Sequence, residues 1–162
     1  MMNPEPELFK VVSKQVGVDP ALLWAFSSVE SSHNPFRCRY EKDWKYPFQV
    51  IEHAKMLGQT ESTEWQMQKF SWGPMQVVGS VAREMKYSDF LPLLCSWGEG
   101  LRVGGLKLVQ CLKRNTSLQD AISSYNQGNP KKDAGGKYLN HEYVEKVLLA
   151  YSKSKPLFTE VL

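Results

Sequence analysis

A single glutamate, Glu30, interrupts the apolar and small-residue stretch WAFSSVESSHNP at residues 24–35. Plotted at about 100° per residue, the helical period, Glu30 falls between Leu23 and Phe26 on the apolar arc. Burial disfavours the ionised carboxyl and raises its pKa, and the negative end of the helix dipole acts in the same direction. A glutamic acid that is still protonated near neutral pH can serve as a general acid. The structural alternative is that Glu30 turns to solvent or pairs with a lysine or arginine.

The helix that must position Glu30 has clear signals at both ends. Asp19 is suited to the N-cap, and Pro20 to the first helical position, where its missing N–H is not needed. At the other end, Pro35 disfavours a helical conformation at Asn34. The sequence therefore predicts a helix over residues 20–32, with Glu30 near its C-terminal end.

The rest of the chain predicts an all-α fold. Helical periodicity recurs in PELFKVVSKQVGV, SWGPMQVVGSVAREM (a helix beginning at Pro74), SWGEGLRVGGLKLVQCLKR, SLQDAISSYNQG and YLNHEYVEKVLLAYSK. Ser117 and Asp120 form a capping box, and the pair Gly104-Gly105 predicts close contact with another helix. From about 36 to 70 the periodicity is lost. We predict an irregular insert there, with a short helix near 50–57, GQTESTE as a polar loop, and no strands.

Composition and charge exclude several classes of protein. The 162 residues are 42% hydrophobic and 23% charged, which indicates one globular domain over residues 1–162. A net charge of +3 without a clustered basic stripe gives little support for nucleic-acid binding. No run approaches about 18 consecutive apolar residues, so we expect no membrane insertion. Cys38, Cys95 and Cys111 lack the spacing of a disulfide framework or a zinc site, and we expect buried free thiols, no metal and no cofactor.

Four stretches occur in an order that is informative: ESSHNP (30–35), SWGPMQV (71–77), GLRVGGLKL (100–108) and AISSYNQG (121–128). They resemble the four signature blocks of the soluble-type lytic transglycosylase domain, within the goose-type lysozyme superfamily. The resemblance covers about residues 18–152. It departs from the family in the long insert and in Ser71-Trp72-Gly73-Pro74, which stands where Ala-x-Gly-Leu is usual. The insert is similar to the version found in phage-encoded cell-wall lysins.

The resemblance implies a lysozyme-like helical domain that cleaves the β-1,4 bond between N-acetylmuramic acid and N-acetylglucosamine in peptidoglycan. Glu30 and Tyr125 are then the catalytic residues, with Glu30 as acid and base and Tyr125 positioning its carboxyl. The substrate-binding residues implied are Ser31, Met75, Gln76 and Asn126, and we expect Glu41 of the insert to join them. Met75 has an alternative role, because a methionine at helical spacing can equally be part of the core.

The number of carboxylates decides the expected products. Hydrolysing glycosidases use two, whereas enzymes of the soluble lytic transglycosylase type use one and form a 1,6-anhydro sugar without consuming water. If the insert folds over the groove, Glu41 or Asp43 can hold a water and make the enzyme a hydrolysing muramidase. Alternatively, Arg37, Arg39 and Glu41 form a structural ion-pair cluster. We expect the transglycosylase.

Two non-enzymatic alternatives remain, a glycan-binding module that has lost the chemistry and a small helical nucleic-acid binder. The first residues, MMNPEPELFK, show neither the basic nor the apolar region of a signal peptide, so we expect no signal-directed export. With peptidoglycan as substrate, this predicts a monomeric phage endolysin. It would accumulate in the host cytoplasm and depend on a holin-type partner to reach the cell wall in the periplasm.

Overall fold

The part of the chain that the structure describes, residues 4–159 in a computed structural model, forms eight α-helices and a small three-stranded sheet. The helices are α1 (Pro6–Val16), α2 (Pro20–Ser31), α3 (Val50–Leu57), α4 (Glu61–Met67), α5 (Gly79–Glu84), α6 (Trp97–Arg114), α7 (Leu118–Gln127) and α8 (His141–Ser154). The strands are β1 (Cys38–Tyr40), β2 (Phe70–Trp72) and β3 (Val77–Val78), and short 3-10 helices cover Leu91–Cys95 and Lys155–Leu157. The prediction of a mostly helical chain is confirmed, but the prediction of no strands is wrong.

Helix α2 begins and ends close to the predicted positions. The Ala21 amide donates to Asp19 Oδ1 at 2.8 Å, and Pro20 occupies the first position, as predicted. The helix ends at Ser31 because Ser32 takes a left-handed conformation, with φ of 55°, and its amide donates to the Ser28 carbonyl. The end therefore comes before Asn34-Pro35 and leaves Glu30 as the penultimate helical residue.

The core lies between α2 and α8 on one side and between α1, α6 and α7 on the other. Its fully buried members include Phe9, Leu23, Phe26, Leu101, Leu108, Ile122 and Val147. Ser117 caps α7 as predicted: the hydroxyl accepts from the Asp120 amide at 3.0 Å and donates to the Asp120 carboxylate. Within residues 4–159, no helix combines the length and apolarity needed to cross a bilayer.

The insert between α2 and β2 contains more regular structure than the sequence predicts. The short helix near residues 50–57 is confirmed, but GQTESTE is not a loop: α4 begins at Glu61 because Thr60 Oγ1 accepts from the Thr63 amide at 3.1 Å. Strand β1 pairs antiparallel with β2, which pairs antiparallel with β3. Cys38, at the exposed edge strand β1, is therefore exposed and not buried as expected, whereas Cys95 and Cys111 are half-buried.

The prediction that a helix begins at Pro74 is wrong for the first turn of that helix. Residues 73–76 form a tight turn, in which the Gln76 amide donates to the Gly73 carbonyl at 3.2 Å and Gln76 takes a left-handed φ of 47°. Strand β3 follows, so α5 begins only at Gly79. Pairing with β2 thus overrides the helical periodicity of this segment.

Glycines let the turn approach the helix α6 closely. A Cβ atom on Gly73 would lie 1.8 Å from the Leu94 carbonyl oxygen, and one on Gly100 would lie 2.4 Å from the same oxygen. A Cβ on Gly104 would lie 2.2 Å from Met75 Cβ, and one on Gly105 would lie 2.9 Å from Val16 of α1. The close contact with another helix predicted from Gly104-Gly105 is confirmed at Gly105, which meets α1, whereas Gly104 meets the 73–76 turn.

Candidate active site

Glu30 meets a residue from the other end of the chain. Because α8 packs along α2, the hydroxyl of Tyr143 reaches the Glu30 carboxyl and donates to Oε1 at 2.5 Å. Burial raises the pKa of the Glu30 carboxyl. The Tyr143 hydrogen bond, the charge of Lys107 and the charges of Arg39 and Arg37 act in the opposite direction without cancelling the increase. The prediction of a carboxyl with a raised pKa on the apolar side of α2 is consistent with this environment.

The two tyrosines near Glu30 keep their protons. Burial, followed by the charge of the Glu30 carboxylate, raises the pKa of both Tyr143 and Tyr125 well above the usual value. Tyr143 is therefore a hydrogen-bond donor to the carboxyl throughout the physiological range. The sequence predicts this positioning role for Tyr125, but the Tyr125 hydroxyl donates to the Met75 carbonyl at 2.8 Å instead.

Glu30 lines a cleft of about 130 Å³ whose first wall is one face of the sheet. Arg39, Ser71 and Val78 form a cross-strand row on this face, since Arg39 pairs with Ser71 and Ser71 pairs with Val78. Glu41, two residues after Arg39, and the indole ring of Trp44 continue the wall. The insert thus contributes a side of the cleft.

Glu41 lies in the cleft with both a cation and a hydroxyl bound to it. Its Oε1 accepts from Arg39 Nη2 at 2.7 Å and from the Ser71 hydroxyl, and its backbone amide donates to the Lys69 carbonyl at 2.8 Å. The contacts of Arg39 and Glu41 agree with one alternative stated from the sequence, in which these residues form a structural ion pair. The position of Glu41 in the cleft is also the one that the muramidase alternative needs.

The second wall comes from α6 and α7. Lys107 and Tyr125 lie together, with Lys107 Nζ 3.9 Å from the centroid of the Tyr125 ring, and burial lowers the pKa of this lysine. Asn126 follows Tyr125 and lines the same cleft, and Asn140 Nδ2 donates to its Oδ1 at 3.1 Å. Lys107 forms no ion pair within the described residues, and the charge that acts on it most strongly is that of Glu30.

Gln76 lines the cleft with a side-chain amide that is fixed by the backbone around it. Its Nε2 donates to the carbonyls of Arg37 and Gly73, each at 2.9 Å, and these two acceptors fix the orientation of the amide. Its Oε1 is buried and has no hydrogen-bond partner within residues 4–159. A buried polar atom without a partner is costly, and the two hydrogen bonds of Nε2 offset this cost while they hold the amide between the 73–76 turn and Arg37.

Of the site residues predicted from the sequence, Glu30, Glu41, Gln76, Tyr125 and Asn126 meet in the cleft. Two implied residues do not line it. Met75 is fully buried against Gly104, and the hydroxyl of Ser31 is buried and donates to the carbonyls of Ser27 and Pro74 at 3.0 Å. The substrate-contacting role predicted for Ser31 and Met75 is therefore corrected. Both side chains support the site instead, because they hold the 73–76 turn against the helices.

Five residues that line the cleft were not assigned to the site from the sequence: Arg39, Trp44, Ser71, Val78 and Lys107. Tyr143, which contacts Glu30 from the adjoining hollow, was not assigned either. Tyr143 had a usable signal, since it lies on the inner face of α8 that the periodicity defines. Lys107 lies three residues after Gly104 and directly before the buried Leu108, an unusual position for an unpaired charge. Arg39 and Trp44 belong to the insert, where no periodicity indicates which side chains face inward.

A second, larger hollow adjoins the site. It measures about 420 Å³ and is lined by Val29, Tyr143, Lys146 and the residues 139–142 that lead into α8. Since Tyr143 lines this hollow and Glu30 lines the cleft, their hydrogen bond lies between the two. The Glu30 carboxyl therefore faces the cleft, and the Tyr143 side chain separates it from the hollow.

The described residues contain no group of three or more potential metal ligands among histidine, cysteine, aspartate and glutamate. No protein-family model, no curated protein and no solved structure matches the chain. The chemistry of the site therefore has to be argued from its own residues.

Proposed function

We propose that this chain is a peptidoglycan-cleaving enzyme with a lysozyme-like helical domain, in which Glu30 is the catalytic acid and base. The observation that carries the proposal is the Glu30 carboxyl itself. It is held by the Tyr143 hydroxyl, its pKa is raised by burial, and it faces a cleft lined by polar side chains. A carboxylic acid whose pKa is raised by burial keeps its proton to higher pH than an exposed one and can donate it to a glycosidic oxygen.

The proposed reaction is a transglycosylation that needs one carboxylate. The Glu30 carboxyl gives its proton to the bridging oxygen as the bond from that oxygen to C1 of N-acetylmuramic acid breaks. The carboxylate so formed takes the proton of the C6 hydroxyl, and O6 bonds to C1 to give the 1,6-anhydro sugar. Glu30 ends protonated, and no water is consumed.

Three features support a glycan as the substrate. Gln76 places a side-chain amide on one wall of the cleft, and an amide is suited to N-acetyl and hydroxyl partners. Asn126 is an amide on the opposite wall that can both donate and accept. A hollow of about 420 Å³ lies on the Tyr143 side of Glu30, close to the cleft, and adds concave surface along which a polymer can lie.

A hydrolysing muramidase is the second candidate, because Glu41 lines the same cleft as Glu30. In that reaction Glu41 activates a water. However, Glu41 Oε1 already accepts hydrogen bonds from Arg39 and Ser71, so this oxygen is occupied by protein partners and is less available to bind and activate a water. This arrangement favours the one-carboxylate reaction.

Cell-wall cleavage also gives the proposed biological setting, which rests on the resemblance stated above. We propose that the chain is a phage endolysin that acts as a monomer on the glycan strands of the wall. A holin-type partner would give it access to the periplasm from the host cytoplasm.

The test is digestion of purified peptidoglycan with the wild type and with Glu30→Gln, followed by mass spectrometry of the released muropeptides. We expect products one water lighter than muramidase products with the wild type and a loss of activity of at least about 100-fold in the variant. Glu61→Gln, a change at an exposed position in α4, is the control and should behave as wild type.

Other outcomes would overturn specific parts of the proposal. Reducing-end products carrying an added water, formed only when Glu30 is present, would establish the muramidase, and Glu41→Gln would then abolish activity. Binding of peptidoglycan without any cleavage by the wild type would identify a binding module. Neither binding nor cleavage would contradict the assignment to the cell wall.

A further inference from the structure

Trp44 and Tyr46 form an aromatic corner at the insert side of the cleft. Their ring centroids are 5.6 Å apart, with the planes at 82°, an edge-to-face arrangement. Trp44 is half-buried and lines the cleft together with Glu30, while Tyr46 is 70% exposed. The pair therefore continues the cleft outward from the catalytic carboxyl.

Hydrogen bonds of the Nε1–H group fix the orientation of the Trp44 indole. Its Nε1 donates to Ser80 Oγ at 2.7 Å and is 3.3 Å from the Tyr46 carbonyl. Since the N–H is satisfied by the protein, the carbon surface of the ring remains for contact with a ligand. Ser80 itself is fully buried at the start of α5, so the anchor is part of the rigid body of the fold.

The segment that carries the two rings is irregular but held at both ends. Before it, the Trp44 amide donates to the Glu41 carbonyl at 3.0 Å, and the Glu41 amide donates to Lys69. After it, Gln68 binds the backbone of Phe48 twice: Oε1 accepts from the amide at 2.6 Å, and Nε2 donates to the carbonyl at 2.9 Å. An exposed tyrosine on a fixed loop loses little further freedom when it binds a ligand.

Flat aromatic surface next to polar groups fits the apolar C–H face of a pyranose ring, whose hydroxyls and N-acetyl groups point outward to hydrogen-bonding partners. Val78 extends the apolar surface of the cleft, while Arg39 and Glu41 supply polar groups beside it. A binding site that needs only a sugar face recognises the polymer without reading its peptide substituents.

We propose that Trp44 and Tyr46 form a saccharide-binding subsite that holds a sugar of a β-1,4-linked N-acetylhexosamine strand outside the bond that is cleaved. This inference rests on the proposed function, and it assigns a binding role to the insert in which the chain departs most from the family that it resembles. Trp44 supplies the platform and Tyr46 extends it toward solvent.

The test measures binding of an N-acetylglucosamine hexasaccharide by calorimetry in a Glu30→Gln background, so that cleavage does not interfere. We expect Tyr46→Ala to weaken binding about tenfold, because a stacking surface is lost, and Tyr46→Phe to retain binding within about twofold. Tyr40→Ala is the matched control. Tyr40 is a partly exposed tyrosine of the same insert, but it packs against Phe70 and Lys69 on the other face of the sheet.

Activity gives an independent readout in the otherwise unaltered chain. On soluble peptidoglycan strands, Tyr46→Ala should raise KM with little change in kcat, since the lost contact lies away from the reacting atoms. Unchanged hexasaccharide affinity and unchanged KM in Tyr46→Ala would overturn the subsite while leaving cleavage by Glu30 intact. If the Glu30→Gln protein with both aromatic rings binds no hexasaccharide and the wild type cleaves no peptidoglycan, the proposed function fails first, and the subsite fails with it.

Discussion

The electrostatic balance at Glu30 depends on a few identifiable neighbours. Burial raises the pKa of the carboxyl, while Tyr143 from α8, Lys107 from α6 and the two arginines of the insert, Arg39 and Arg37, lower it. A group that acts first as an acid and then as a base needs a pKa near the working pH, so that neither form is inaccessible. Lys107 is the largest opposing charge, so substitution of this lysine is the most direct way to change the pKa of Glu30.

Lys107→Met is expected to move the alkaline limit of activity to higher pH. Removal of the positive charge leaves burial less opposed, which raises the pKa of Glu30 further and keeps the acid protonated over a wider range. The measurement is the pH dependence of kcat/KM for release of muropeptides.

Lys113→Met is the matched control, because Lys113 is exposed at the end of the same helix and does not line the cleft. It should leave the alkaline limit where it is. A shift of the Lys107→Met profile to lower pH would contradict the assigned role of the lysine.

Much of this site could be predicted from single residues, and the rest could not for identifiable reasons. The helical wheel places Glu30 on the apolar arc, and the motif order brings Gln76, Tyr125 and Asn126 to the same cleft. The Tyr143 contact spans 113 positions along the chain, and nothing local in the sequence selects Tyr143 over Tyr125. Only the packing of α8 on α2 decides which hydroxyl reaches the carboxyl.

At the scale of elements, the site depends on how closely α6 approaches the 73–76 turn. The position of a Cβ on Gly104 is 2.2 Å from Met75 Cβ, and Met75 in turn presents its carbonyl to Tyr125. A side chain at 104 therefore displaces the turn that carries Gln76. The same helix offers a glycine without such a contact, since nothing lies within 4 Å of a Cβ on Gly98.

Gly104→Ala should lower the free energy of unfolding by about 1–3 kcal/mol, because the buried backbone of the turn has to move. Gly98→Ala should leave it unchanged or raise it by up to about 1 kcal/mol, since alanine is the better helix former. Urea denaturation of the two variants checks the pair. Equal effects would show that helix propensity alone, and not contact with Met75, governs both positions.

The errors in the predicted elements share one cause. Segment 74–85 has helical periodicity, yet Val77 and Val78 pair with β2, and this long-range pairing cannot be seen from residue spacing. Similarly, Thr60 and Thr63 in GQTESTE read as loop residues, although Thr60 caps α4. Elements with strong local signals at both ends, such as α2 and α7, were predicted within a residue or two.

At the scale of the whole molecule, one buried ion pair joins the insert to the rest of the fold. Arg83 of α5 contacts Glu64 of α4 through two hydrogen bonds of 2.7 and 3.0 Å, and both side chains are fully buried. Gln68 donates to Glu64 and also holds the backbone of Phe48. Arg83 further donates to the carbonyls of Tyr87 and Asp89, so the network spans α4, α5 and the loop after α5.

Glu64→Gln should lower the free energy of unfolding at neutral pH by about 3–5 kcal/mol, because it leaves the Arg83 charge buried without its partner. Burial alone raises the pKa of Glu64, but the hydrogen bonds from Arg83 and Gln68 outweigh it and hold the pKa below its usual value. The pair thus stabilises the fold above the ordinary pKa of glutamate. This contribution is lost as the pH falls through the lowered value in the folded protein.

Denaturation curves at a series of pH values test both parts of this prediction. The wild type should lose stability on acidification, and Glu64→Gln should lose less over the same interval. Glu99→Gln removes a half-exposed pair with Arg102 and should cost no more than about 1 kcal/mol. If Glu64→Gln is as mild as Glu99→Gln, the insert is held by its other contacts.

The carbonyl oxygen of Leu94 lies against both Gly73 and Gly100, and it restricts which residues these two positions can accept. A saturation library selected for folding should return only glycine at these two positions, since even a methyl group would overlap that oxygen. Gly17 and Gly58 have left-handed helical backbone conformations but open space, and they should also return asparagine. Deep sequencing of such a library would therefore separate glycines required for space from those required for backbone conformation.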